Sequence, residues 1–142
     1  MPPRPRPSAR DLCPCCGFPT LGRRASFEIC ALCNWEDDGQ DDHNAEEVLG
    51  GPNADYSLTE ARENFKTHGN MYRPGGDRRL LGGNTAEEVE VKAELIAVFS
   101  SWRRGKTPTQ EQEDAVLRLE RKLHIALSRR IMEHEAGLRG EA

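Results

Sequence analysis

Four of the five cysteines fall into two pairs of identical spacing, Cys13/Cys16 and Cys30/Cys33, with thirteen residues between the pairs. A Cys-x2-Cys pair lets two thiolates converge on one ion from a tight turn. Two such turns placed face to face make a closed tetrahedral site of four sulfurs, with no open position for water. The expected cofactor is therefore one structural Zn2+, held by Cys13, Cys16, Cys30 and Cys33. Pro14 pre-sets the φ of the first turn, and Gly17 allows the positive φ often needed just after it. Cys15 is the spare thiol. The preferred reading is a free thiol that packs as a small apolar side chain; the alternative, a reactive thiol activated by the adjacent metal, requires exposure. A thioredoxin-like use of Cys13 and Cys16 fits poorly, because no βαβ pattern surrounds them and a second pair competes.

Other residue types invite weaker chemistry. Trp35-Glu-Asp-Asp38 followed by Asp41-Asp-His43 concentrates acids and a histidine in nine residues. Asp37, Asp38, Asp41 and His43 are candidate ligands for a second, hard metal ion such as Mg2+ or Ca2+, and the 36–43 cluster could then support phosphate-ester hydrolysis. Their spacing fits no recognised metal loop, so a solvated acidic loop is preferred. Gly50-Gly-Pro-Asn53 lacks the Lys-Ser/Thr of a phosphate loop and reads as a turn. Arg118, Arg121, Lys122, Arg129 and Arg130 share one helical stretch with Glu111, Glu113, Asp114, Glu120, Glu133 and Glu135. A mixed solvated face explains them better than nucleic-acid binding does. His43, His68, His124 and His134 form no spacing typical of a catalytic dyad, and no nucleophile motif is present.

These groups need scaffolding that composition alone supplies thinly. The 142 residues are 36% hydrophobic, 6% aromatic and 31% charged, a lean core that calls for a metal, a disulfide or a partner. The net charge of −4 is uneven: residues 13–70 carry 4 Lys/Arg against 11 Asp/Glu, whereas 71–142 carry 13 against 12. No part is basic enough for nonspecific attraction to nucleic acid. No apolar run is long enough for a membrane span, and Met1-Pro-Pro-Arg-Pro-Arg-Pro7 lacks the apolar segment of a secretory signal. The expected location is the cytoplasm, where thiols stay reduced, and the odd cysteine count argues the same way.

Along the chain, residues 1–10 read as a disordered Pro/Arg tail. A cysteine-rich module follows over 11–70, with Phe18-Pro-Thr-Leu21 and Ala25-Ser-Phe-Glu-Ile29 flanking Gly22-Arg-Arg24 as a β-hairpin that returns the second knuckle to the first. Capping boxes at Ser57–Glu60, Thr85–Glu88 and Thr107–Gln110 announce helices over about 58–68, 86–104 and 108–136. Gly69, Gly105 and Gly137 supply stops. Their apolar faces are Leu58, Ala61 and Phe65; then Val89, Leu95, Ile96, Phe99 and Trp102; then Val116, Leu119, Leu123, Leu127 and Ile131. Residues 71–84 form a glycine-rich connector, and 85–137 fold as a helical hairpin.

Cys13-Pro-Cys-Cys-Gly17, Glu28-Ile-Cys30, Cys33-Asn-Trp-Glu-Asp-Asp38, Gly50-Gly-Pro-Asn53 and Ser57-Leu-Thr-Glu-Ala-Arg-Glu-Asn-Phe65 occur in order, and together they resemble the bacterial cysteine-rich CPCC domain family over about residues 12–68. The resemblance implies a small zinc-ribbon-like module and hands over no reaction. Ala31 stands where the family commonly has a proline in the second knuckle, and the helices after residue 70 lie outside the resemblance. The expected fold is small α+β: a zinc-ribbon-like knuckle pair with a β-hairpin, one packed helix, and a C-terminal two-helix hairpin. The expected function is non-enzymatic, with a protein partner or self-association engaging the C-terminal helices; a metal-dependent hydrolase and a nucleic-acid-binding accessory protein are the alternatives.

Overall fold

Three helices supply nearly all the regular structure of the described residues, 5–75, 85–102 and 106–140, in the computed structural model. Helix α1 spans Leu58–His68, α2 Ala86–Ser100 and α3 Gln110–Gly140. The chain divides after Gly75 into two units, and each is described by itself. No helix among the described residues is long and apolar enough to cross a membrane.

The first unit is built of turns around a small core of Leu21, Leu32, Trp35, Tyr56, Leu58, Met71 and every cysteine but Cys16. The expected β-hairpin is not formed. Each segment instead pairs around its own knuckle, Asp11 with Leu21 and Ile29 with Glu36, as isolated antiparallel bridges. The cause lies within the second segment. Ala25 and Phe27 adopt left-handed φ values of 56° and 61°, which interrupt the extended run a hairpin needs. The turn is held in that shape by two carboxylates: Arg24 N–H donates to Asp11 Oδ2 and Ala25 N–H to Asp37 Oδ2.

The tail also departs from expectation where it is described. Residues 7–9 form a 3₁₀ turn, Pro7 and Arg10 are buried, and Arg10 Nε donates to the Pro5 carbonyl. Residues 1–4 lie outside the described residues.

Helix α1 begins and ends where its sequence signals stand. Ser57 Oγ accepts the Glu60 N–H, and Gly69, at φ +82°, closes the last turn on the Phe65 carbonyl. Leu58 and Ala61 are fully buried, and Phe65 meets the Phe18 ring edge-on at 6.4 Å. The Glu60 carboxylate does not turn back to complete the box. It binds Arg73, which also pairs with Asp55 and lies 4.3 Å from the centre of the Tyr56 ring. Asn64 Nδ2 donates to the Met71 carbonyl, and Met71 N–H to the Cys33 carbonyl. Residues 71–75, expected in the connector, thus belong to the first unit; residues 76–84 lie outside the described residues.

In the second unit α2 and α3 run antiparallel. Val91, Leu95 and Phe99 are buried on α2, and Val116, Leu119, Leu123 and Ala126 on α3. The observed face of α2 differs in part from the expected one: Val89 is 55% exposed, because Glu88 and Lys92 take places on the buried stripe with Val91 and Leu95. Helix α2 ends at Ser100, short of the expected 104; residues 103–105 lie outside the described residues. Helix α3 starts two residues late because a second, overlapping box caps it: Gln112 N–H donates to Thr109 Oγ1, and Thr109 N–H to Gln112 Oε1. It also passes through Gly137 to Gly140.

Glu88 does double duty at the start of α2. Its carboxylate completes the box with Thr85 and accepts from Arg130 Nε at 2.9 and 3.1 Å. Burial raises the Glu88 pKa, but the Thr85 N–H and the Arg130 guanidinium outweigh it and hold the carboxyl below its ordinary value. The stability it contributes is therefore complete above the usual carboxylate pKa and lost as pH falls through the lower folded value. Arg130→Met, which leaves this buried carboxylate without its cation, is expected to cost about 2 kcal/mol. Glu88→Gln should flatten the acid dependence of the hairpin. Urea midpoints compared from neutral to acid pH would check both.

Candidate metal centre

The two knuckles are near copies of one loop. In the first, Cys13 N–H donates to the Phe18 carbonyl and Gly17 N–H to the Cys13 carbonyl; in the second, Cys30 N–H donates to Trp35 and Asn34 N–H to Cys30, all at 2.8–2.9 Å. The residue after each second cysteine is left-handed, Gly17 at φ +81° and Asn34 at φ +71°. Glycine and asparagine are the types that tolerate this conformation. Ala31 sits in the second loop without altering its hydrogen bonds.

The loops bring the Sγ atoms of Cys13, Cys16, Cys30 and Cys33 within 4.8 Å of one another. The Cys13–Cys33 and Cys16–Cys30 sulfurs are each 3.6 Å apart, far beyond a disulfide bond. A tetrahedral ion bound by four thiolates at about 2.3 Å separates them by about 3.8 Å, so the quartet fits one metal ion. Cys13, Cys30 and Cys33 are buried and Cys16 is half-buried. Among the described residues this is the only group of three or more Cys, His, Asp or Glu side chains close enough to hold an ion.

The electrostatics say what the cluster lacks. Burial opposes charge on Cys30, yet the Cys13, Cys16 and Cys33 thiols and the Thr20 hydroxyl donate to it and hold its pKa well below the ordinary thiol value. Burial pushes Cys33 well up, and the neighbouring thiols push it further. Cys16 is raised too, first by its contact with Cys13. Without a cation, four largely buried sulfurs this close cannot all carry charge. A divalent ion lifts that restriction and takes all four as thiolates. Two further groups face the sulfurs: the Trp35 backbone N–H lies 3.5 Å from Cys33 Sγ, and Thr20 Oγ1 3.0 Å from Cys30 Sγ. Cys15 is buried at 8% exposure, in the position of a packed thiol.

The acidic stretch is not assembled as a second ligand set. Asp37 is fully buried, and its oxygens accept from Arg24 Nε, Ala25 N–H and Gly39 N–H. Asp38 accepts from the Gln40 N–H and Asn53 Nδ2. Asp41 caps the 3₁₀ turn Asp42–Asn44 and pairs with Arg24 at 2.7 Å, and these contacts hold its pKa below the ordinary value. His43 stands exposed on that turn. The carboxylates face backbone amides and arginines, and the four side chains do not meet at one point.

Sequence reasoning missed the residues that lock the knuckles in place. Arg24 joins Asp37, Asp41 and the Gln40 carbonyl. Arg62 on α1 reaches the Pro14 carbonyl at 2.8 Å and Asp42 at 2.7 Å, tying the first knuckle to the acidic loop. The Asn53 carboxamide pairs with both backbone groups of Glu36, taking the place of a neighbouring strand. Asn53 does lie in a conspicuous motif, Gly50-Gly-Pro-Asn53, but as sequence that motif reads only as a turn.

Residues 12–78, just under half of the chain, match the family model described as Cysteine-rich CPCC. No curated protein and no solved structure matches the chain.

Proposed function

We propose that the chain, whose residues 12–78 match the Cysteine-rich CPCC family model, is a non-enzymatic protein-interaction module whose first unit is shaped by one structural zinc ion. The observation that carries this reading is the largely buried quartet of sulfurs at tetrahedral spacing. Four thiolates in that geometry suit zinc, a soft-tolerant ion with no geometric demand of its own. Because the protein supplies all four ligands, no coordination position is left for water or substrate, which removes the usual route to zinc-assisted hydrolysis. Reduced thiolates also suit a cytoplasmic setting. Support for an interaction role comes from the second unit, where α3 keeps Leu117, Ile125 and Met132 exposed.

Elemental analysis of the purified, reduced protein tests the metal half of this reading. Wild type and Cys15→Ser should each carry one zinc per chain, and Cys30→Ser none. Freshly reduced protein without stoichiometric zinc would remove the basis of the proposal.

A further inference from the structure

The outer face of α3 carries an arrangement that the hairpin does not use. Ile125, Ser128, Met132 and Ala136 recur at intervals of three and four, so they lie on one face of the helix. That face points away from Val116, Leu119, Leu123 and Ala126, the positions buried with α2. Ile125 is 49% exposed and Met132 66%. Charge along the same face is segregated. Arg121 and Lys122 precede the apolar residues, and Glu133 and Glu135 adjoin Met132 toward the C-terminus. All four are exposed, and none has an ion-pair partner among the described residues. Arg129 and Arg130, the neighbouring cations, are instead committed to Glu87 and Glu88 of α2.

We infer that this face binds a second copy of the same chain, with the two α3 helices antiparallel and crossing near Ser128. The inference rests on the interaction reading above and names its partner. An antiparallel crossing at Ser128 sets Ile125 of each copy beside Met132 of the other. It also brings Arg121 opposite the other copy's Glu135 and Lys122 opposite its Glu133, and two-fold symmetry repeats both pairs. A parallel pairing would place Arg121 against Arg121 and Glu135 against Glu135, so the charge pattern selects the antiparallel arrangement. Ser128, small and central, lets the backbones approach. One helix face offers well under the about 800 Å² per partner of a standard interface, so the dimer is reversible and concentration-dependent.

Sedimentation velocity of zinc-loaded full-length protein across a concentration series tests this. Wild type should show a monomer–dimer equilibrium weakened by added salt. The variant Glu133→Lys/Glu135→Lys, with both ends of the face basic, should dimerise at least about tenfold more weakly, as should Arg121→Glu/Lys122→Glu, with both ends acidic. Mixed together, the two variants should form a heterodimer at or above wild-type strength. All substitutions are on exposed positions, and helical circular dichroism would verify that each variant is folded. Wild type that stays monomeric at every concentration overturns the pairing, whether a foreign partner or the chain's own connector covers the face. A dimer indifferent to both charge reversals overturns it equally. Zinc content measured on the same samples keeps the two hypotheses separable, because a zinc-bound monomer sinks the pairing and leaves the metal reading standing.

Discussion

Chelation of the metal is expected to unfold residues 11–75 while leaving the helical hairpin formed. The first unit has little else to hold it. Among its described residues the regular structure is one helix of eleven residues, three 3₁₀ turns and two isolated bridges, and the core is a handful of side chains around Trp35. A structural zinc site supplies on the order of 10–16 kcal/mol at neutral pH, comparable to or larger than the whole stability of a typical domain. The hairpin draws on other resources, namely its own apolar stripe, two capped helices and the Arg130–Glu88 pair. In a Trp102→Phe background the emission of Trp35, fully buried in the folded unit, should shift red on chelation. Far-ultraviolet dichroism should fall only by the share of α1. Cys33→Ser should behave as the chelated protein does, and added zinc should restore wild type alone. A first unit that keeps its Trp35 signature with no metal bound would refute this account.

Asp37→Ala is expected to have the second largest effect, a loss of about 3 kcal/mol in zinc-saturated protein. The carboxylate is wholly buried and satisfies three donors at once, the Arg24 guanidinium and the N–H groups of Ala25 and Gly39. Its removal strands two backbone amides and leaves Arg24 with Asp41 alone as an ionic partner. Asp42→Ala offers the contrast. That side chain is 87% exposed although it, too, pairs with an arginine, and its loss should cost less than about 1 kcal/mol. Urea unfolding of both variants provides the comparison. Equal effects would mean that burial and hydrogen bonding do not separate the acids of this loop.

That contrast marks where sequence reading succeeds and where it stops. Local signals are legible. Cys-x2-Cys spacing predicts four converging sulfurs, and Ser57 with Gly69 bounds α1 to the residue, because caps and tight turns depend on neighbours in the chain. The β-hairpin is misread because residues 18–29 have strand-like composition, whereas their conformation is set from a distance by Asp11 and Asp37. Arg24, Arg62 and Asn53 are illegible for the same reason. Each acts across thirteen to forty-eight residues of chain, and an arginine or asparagine in a loop carries no mark of the carbonyl or carboxylate it will find. On α2, composition favours a face through Val89, but the burial of Glu88 by Arg130, a residue on another helix, rotates the inner stripe toward Val91.

The duplication of the knuckle loop bears on how the centre is assembled. Each loop closes its own hydrogen bonds, so each is a prefabricated half-socket, and the ion only has to join two halves. During synthesis the first half is complete once Phe18 has left the ribosome, seventeen residues before Trp35 closes the second. The first knuckle, closed by hydrogen bonds of its own, can thus present two sulfurs before the second is made.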